Sequence, residues 1–163
     1  MGISLRAVTR NNWFECTQLE VTSEQKEMFP APVVYWIAES KVIPEYEPLA
    51  VYHDEELVGF AVYCTAPDHD GNYWIPALMM DTRFQRKGYG KAAMIKLIQY
   101  MKENYACDRL MIGHRPNNVV DLKYPTMHQN PYNLPSTEAL RFKDITLNRY
   151  WIYHSMISLY SFT

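Results

Sequence analysis

The chain has 163 residues, 48% of them apolar, with a net charge of −2 and a pI of about 6.2. That length suits one domain with a substantial core, and the mild acidity gives no electrostatic footprint for nucleic acid. No apolar run approaches the roughly 18 residues that span a bilayer. Cys16, Cys64 and Cys107 are odd in number and scattered, so neither a disulfide framework nor a C-x-x-C metal pair fits. Packed, reduced thiols are expected, with the cytoplasm as the default compartment. The N-terminus lacks a signal-peptide apolar region, and Arg6 stands where a myristoylation signal beginning Met1-Gly2 wants Ser or Thr.

Residues 3–8 alternate weakly and suit a first strand. Asn11 or Asn12 is placed to cap a short helix running to Glu20, and Thr22-Ser23-Glu24 to cap a second helical piece. Pro30 and Pro32 should interrupt that piece, because proline has no N–H to give a helix, and helix should resume over 33–39. Residues 47–53 and 57–64 read as a hairpin across the polar turn His53-Asp54-Glu55-Glu56. A second turn, Asp68-His69-Asp70-Gly71-Asn72, precedes a third strand over 73–80, since Asp-Gly is a strong turn signal. The acids and histidine of that loop read as turn chemistry, and no metal is expected.

The third strand runs into Gln85-Arg86-Lys87-Gly88-Tyr89-Gly90-Lys91 and then an amphipathic helix over 88–105. Ala92, Met94, Ile95, Ile98 and Met101 are expected to form its apolar stripe, with Lys91, Lys96, Gln99, Lys102 and Glu103 outside it. A short buried strand over 109–113, parallel to the one before the helix, completes a strand–helix–strand unit. Strand, glycine-bearing basic turn, helix is an order that builds an anion site. The first N–H groups of a helix lack intrahelical partners and carry the positive end of the macrodipole. Glycines let the backbone approach a phosphate closely, and Arg86, Lys87 and Lys91 add positive charge at the same place. A pyrophosphate is the natural guest. The residues alone leave open which one: the Walker pattern would need Lys followed by Ser or Thr, where Ala92 stands, and the Rossmann fingerprint would need a third glycine.

Gln85-Arg86-Lys87-Gly88-Tyr89-Gly90 resembles the Q/R-x-x-G-x-G/A signature of the GNAT acyltransferases, and the order βααβββαβ resembles their core over residues 3–118. Within that family the stretches 43–48, 51–63, 78–81 and 84–93 are similar to the bacterial spermine/spermidine acetyltransferases. The resemblance implies an α/β (α+β) GNAT fold, with a central mixed sheet flanked by helices. It implies a single domain over 1–163, with a recognisable core and an atypical segment at 119–163. Acetyl-CoA is the implied cofactor. It would lie in a V-shaped opening between strands 73–80 and 109–113, its pantetheine arm on backbone groups of Leu78, Met79 and Met80. Its pyrophosphate would sit on Gln85, Arg86, Lys87, Gly88, Tyr89, Gly90 and Lys91. Preorganised donors of this kind act on charge that develops in the transition state.

Family members continue after the last core strand with an Asn and then a helix bearing A-x-x-L-Y-E-x-x-G-F. Asn117 and Asn118 are present, and Asn118 is carried over as a cofactor contact. From Val119 onward the chain departs from that pattern. Tyr124 is the first candidate for the general acid that protonates the departing thiolate, one residue short of the family spacing, and Tyr132 is the second. A faint echo of the helix appears only at Thr137-Glu138-Ala139-Leu140-Arg141-Phe142, so either a segment is inserted before it or the ending is unrelated sequence. Polyamine acetylases often carry an acid just before the position of Leu78, where this chain has Pro76-Ala77. Glu45, Glu47 and Asp81 are the nearby carboxylates, and the base is unassigned. His114 reads either as a structural histidine or as a proton shuttle. The aromatics of 150–154 and 159–162 could pack on the domain, cover the acceptor site or join a second subunit as a homodimer. The implied activity is acetyl transfer to a primary amine, most readily a polyamine, with no nucleic-acid or membrane partner. The alternatives are another small amine, a protein N-terminus, or a CoA-binding module that has lost turnover.

Overall fold

The structure is a computed structural model that describes residues 2–26, 31–105, 107, 109–113 and 137–141. In chain order it runs β1 (Ile3–Ala7), α1 (Trp13–Thr17), α2 (Ser23–Lys26), α3 (Val33–Glu39), β2 (Tyr46–His53) and β3 (Glu56–Cys64). Next come β4 (Tyr73–Ile75), β5 (Ala77–Met80), a 3-10 turn (Thr82–Phe84), α4 (Tyr89–Asn104), β6 (Arg109–Gly113) and β7 (Thr137–Arg141). The strands form two sheets, β1-β2-β3-β5 and β4-β6-β7. The first is antiparallel throughout. In the second, β4 and β6 are parallel across the α4 crossover, and β7 is antiparallel to β6.

The expected strand over 73–80 is therefore two strands, and Pro76 is the reason. A proline has no N–H to continue a ladder. On one side of it Tyr73–Ile75 pairs with β6; on the other Ala77–Met80 pairs with β3.

The four-stranded sheet is covered on both faces. On one, α4 packs Ala93, Met94, Leu97, Ile98 and Met101 against Val51, Val58, Ala61 and Met80. On the other, α1 and α3 bring Cys16, Val33 and Trp36 onto Ala50, Phe60, Val62, Ala77 and Met79. Consecutive β5 residues thus serve opposite cores, as period-2 side chains must. Cys16, Cys64 and Cys107 are buried and none is in a disulfide among the described residues, in line with packed thiols. Burial pushes the Cys16 and Cys64 thiols up to about 11 and about 12, so both are protonated and inert.

Several local expectations need correction. The buried stripe of α4 is Gly90, Ala93, Met94, Leu97, Ile98 and Met101, a run of three- and four-residue steps in which Ala92 and Ile95 have no part. Both are exposed, Ile95 at 43%; they lie about one residue's rotation off the stripe. Helix α1 ends at Thr17, short of Glu20, and Asn12 holds its N-cap position without capping it. Its side chain turns back instead, accepting from the Thr9 N–H at 2.7 Å and donating to the Ala7 carbonyl at 3.1 Å. Thr137–Arg141, where the sequence carries a faint echo of the family's helix motif, is a strand antiparallel to β6. The Asp68 loop behaves as turn chemistry, its carboxylate accepting from the N–H groups of Asp70 and Asn72 and from Trp74 Nε1. No metal-binding cluster occurs among the described residues.

A β-bulge fixes how β5 ends. Val51 pairs with Gly59 while Tyr52 pairs with Leu57, leaving Val58 as an extra residue in β3. Its carbonyl accepts the Asp81 N–H at 2.9 Å, one residue beyond β5. Gly59 lets the strands close, because a Cβ there would collide with the Met79 carbonyl and lie 2.8 Å from Met80 Sδ. Gly59→Ala should therefore push β5 outward and cost about 1–3 kcal/mol as overpacking does. It would be read as a lower urea midpoint with an unchanged m-value; an unaltered midpoint would mean that β5 shifts freely.

Candidate cofactor site

Beyond Pro76 the two sheets part. Strand β6 keeps β4 as far as the Ile75–Ile112 pair, while β5 turns to β3. Among the described residues no ladder joins β5 to β6, so β5 is the edge strand of its sheet and the side of Ala77–Met80 away from β3 pairs with no described strand. Such an edge is a template for another extended, amide-bearing chain.

The loop between β5 and α4 has an unusual backbone. Gln85 is extended, with φ −67° and ψ 163°, Arg86 has φ 60° and Gly88 φ 80°, and Lys87 between them is not left-handed. Backbone handedness that alternates residue by residue points successive N–H groups to one side and makes an anion-binding nest. A non-glycine residue at positive φ costs roughly 1–2 kcal/mol, and strain of this kind collects at functional sites. Gly88 is the N-cap of α4, and the first intrahelical bond is Ala92 N–H to the Gly88 carbonyl at 3.1 Å. The N–H groups of Tyr89, Gly90 and Lys91 precede it and add to the nest. Nothing lies within 4 Å of where a Gly88 Cβ would be, so the demand for glycine there is its φ and not crowding.

The side chains divide the work. The Arg83 guanidinium turns away from the loop to the Asp81 carboxylate, with Nε 2.7 Å from Oδ1. Lys87 Nζ sits 5.2 Å from the Phe84 ring centroid. Arg86 and Lys87 are exposed and Lys91 is half-buried, all around the same turn. The Tyr89 ring stacks on His53 at 4.4 Å and 19°, fixing the start of α4 against the β2–β3 hairpin. The Gln85 side chain is spent on protein, donating to the Met80 carbonyl at 2.9 Å and to Gln25 Oε1 at 2.8 Å. What Gln85 can offer an anion is its backbone.

Asp81 is 2% exposed and holds this region together. Its carboxylate accepts from the Arg83 N–H at 3.0 Å, the Arg83 guanidinium and the Glu20 N–H at 3.1 Å. Burial pushes the carboxyl up, but the Arg83 side chain and the two backbone donors outweigh it and hold it below the usual range. A carboxylate so engaged has no capacity left to take a proton from an amine, which removes Asp81 as a base. Of the other two acids, Glu45 is exposed and Glu47 half-buried. Glu47 pairs with Tyr63, one step along β3 from the Val62–Ala77 rung. Tyr63 itself belongs to a phenol cluster with Tyr100 and Tyr105 at the far end of α4. Asn117, Asn118, Tyr124, Tyr132 and His114 lie outside the described residues.

Sequence reasoning missed Gln25, His53, Gly59 and the Val58 bulge as parts of this site. Thr22-x-x-Gln25 did carry a signal, the capping box: Gln25 N–H donates to Thr22 Oγ1 at 3.3 Å and Thr22 N–H to Gln25 Oε1 at 3.1 Å. The others are visible only as tertiary contacts.

The folded Asp81 pKa lies below its unfolded value of about 3.9, so its stabilisation is complete above that pH and is lost as pH falls through the folded pKa. Asp81→Asn should cost about 1–3 kcal/mol at neutral pH by turning an amide NH2 toward buried donors. It should also flatten the fall in stability below about pH 4, measured by urea melts across pH; an acid limb as steep as before would contradict this role.

The Acetyltransferase (GNAT) family profile matches residues 9–124. The spermine/spermidine N(1)-acetyltransferase of Bacillus subtilis strain 168 is 32% identical over 124 residues, covering 73% of this chain and 81% of that protein. Among solved structures, aminoglycoside acetyltransferase AAC(6′)-Ib in complex with coenzyme A superposes with TM-score 0.70 at 14% identity, over 91% of this chain and 99% of the other. Spermidine N-acetyltransferase from Vibrio cholerae, in complex with CoA and spermine, does so with TM-score 0.58 at 12% identity, over 71% and 73%. The structural likenesses establish the fold. With a family profile over most of the described core and a relative at 32% identity, the chain belongs to the GNAT family of acetyltransferases, which use acetyl-CoA.

Proposed function

We propose that this chain acetylates a primary amine, with a polyamine such as spermidine or spermine as its acceptor. The observation that carries the reading is one continuous feature: a strand edge freed at Pro76 leads directly into a left-handed, basic loop at the start of α4. The residues fit acetyl-CoA along its length. The free backbone edge of Leu78, Met79 and Met80 matches the amides of a pantetheine arm. The nest from Gln85 through Lys91, with the charges of Arg86, Lys87 and Lys91, matches a pyrophosphate. When bound, acetyl-CoA supplies an activated thioester.

The chain's own residues then position and move protons. The cleft edge orients the acyl group, and holding two reactants in near-attack geometry supplies much of the rate. Tyr124 is proposed to hold a proton at its phenol oxygen for the departing thiolate, and Asn118 to contact the cofactor. The polyamine assignment is supported by the identity with a Bacillus subtilis protein named as a polyamine acetyltransferase.

The experiment is thiol release from acetyl-CoA with spermidine, spermine and a panel of simple amines, beside a CoA titration. Turnover should be fastest with the polyamines; preference for another amine would replace the acceptor, and binding without turnover would leave a CoA-binding module. Gly88→Val forces a branched side chain to φ 80° and places it against the phosphate, so CoA affinity should fall at least about a hundredfold with little loss of fold. Normal binding by that variant would reject the loop assignment. Tyr124→Phe should lower kcat by about 10²–10⁴-fold with CoA affinity retained; unchanged turnover would remove Tyr124 as the acid.

A further inference from the structure

Helix α2 has four residues, too short to hold itself in water. Its order rests on what surrounds it. Behind it, the Glu20 backbone is fastened to the turn after β5: its N–H donates to Asp81, and its carbonyl accepts from the Thr82 N–H at 2.8 Å. Within it, Thr22 and Gln25 close a capping box. Ahead of it, Gln25 meets Gln85 in a reciprocal amide pair across 60 residues of sequence, with Gln85 Nε2 to Gln25 Oε1 at 2.8 Å and Gln25 Nε2 to Gln85 Oε1 at 3.3 Å. The second hydrogen of Gln85 Nε2 goes to the Met80 carbonyl. A single chain of hydrogen bonds thus runs from the Thr22 N–H, through Gln25 and Gln85, to the last residue of β5. Both glutamines are half-buried, where a network that loses one member leaves the others unsatisfied.

We propose that the Gln25–Gln85 amide pair is a positioning device that couples occupancy of the pyrophosphate loop to the order of α2. The proposal rests on the reading that CoA binds at residues 85–91. Gln85 sits immediately before the strained Arg86, and its own backbone is part of the nest. Fixing its side chain limits how far the loop can relax when no anion is present. Gln25 therefore sets cofactor affinity without touching the cofactor. Linkage makes the effect reciprocal: whatever α2 contributes to CoA binding, CoA must return as order in α2.

The test combines a double-substitution cycle with hydrogen exchange on the full chain. CoA dissociation constants are measured by calorimetry for the unsubstituted protein, Gln25→Ala, Gln85→Ala and the double variant. Urea melts establish that each is folded at the temperature used. Each single substitution should weaken CoA about fivefold to tenfold, and the double should be no weaker than the worse single, because both break one link. In the unsubstituted protein CoA should slow amide exchange across residues 22–26. That protection should vanish in Gln85→Ala while protection at the start of α4 persists. Costs that add in the double variant, CoA affinity within about twofold of normal in Gln25→Ala, or exchange at 22–26 indifferent to CoA would each overturn the coupling and leave the cofactor site standing. No CoA binding by the unsubstituted chain would overturn both.

Discussion

The architecture depends on a ladder that cannot continue. Pro76 gives no N–H, so the chain between Tyr73 and Met80 belongs to two sheets in turn. Because it divides, β5 becomes an edge strand among the described residues while each half stays anchored: β4 against β6, and β5 against β3. The helices then lock the division, with α4 on one face of β5 and α1 and α3 on the other.

The end of β5 is held by an arrangement of small features that serve one another. The Val58 bulge presents a carbonyl to the Asp81 N–H, and Gly59 allows the close approach that makes this reachable. Asp81 in turn gathers Arg83 and the Glu20 N–H, which draws the segment before α2 onto the same turn. The result is a rigid platform from which Gln85–Gly88 can adopt left-handed backbone at two positions. Anion sites built from backbone N–H groups need such support, since the groups must converge before the anion arrives to neutralise them. The basic side chains divide accordingly: Arg83 is bound to Asp81, while Arg86, Lys87 and Lys91 belong to the turn that opens α4.

Much of this was legible in the residues. Gly88 and Gly90 between an apolar strand and an amphipathic helix mark the start of α4 through local chemistry alone. The hairpin at residues 53–56 and the break ahead of α3 are likewise local. Where the reading went astray, a choice between near-equal local options was settled elsewhere in the molecule. Ala92 and Ile95 are as apolar as Ala93 and Leu97, and only the position of the sheet decides which pair is buried. Asn12 is a good cap, but the neighbouring turn at Thr9 claims its side chain.

The order of elements and the glycine-bearing turn that opens α4 are written into neighbouring residues. Turn residues, proline, glycine φ and apolar periodicity act over a few positions and need no distant partner. The assembled fold was needed to settle that β5 is an edge strand among the described residues, that Asp81 is buried and engaged by Arg83 and Glu20, and that Gln85 reaches Gln25. Each of those outcomes is a competition for hydrogen-bond partners among groups tens of residues apart, and the winner depends on where the sheet, the bulge and the helices bring them together.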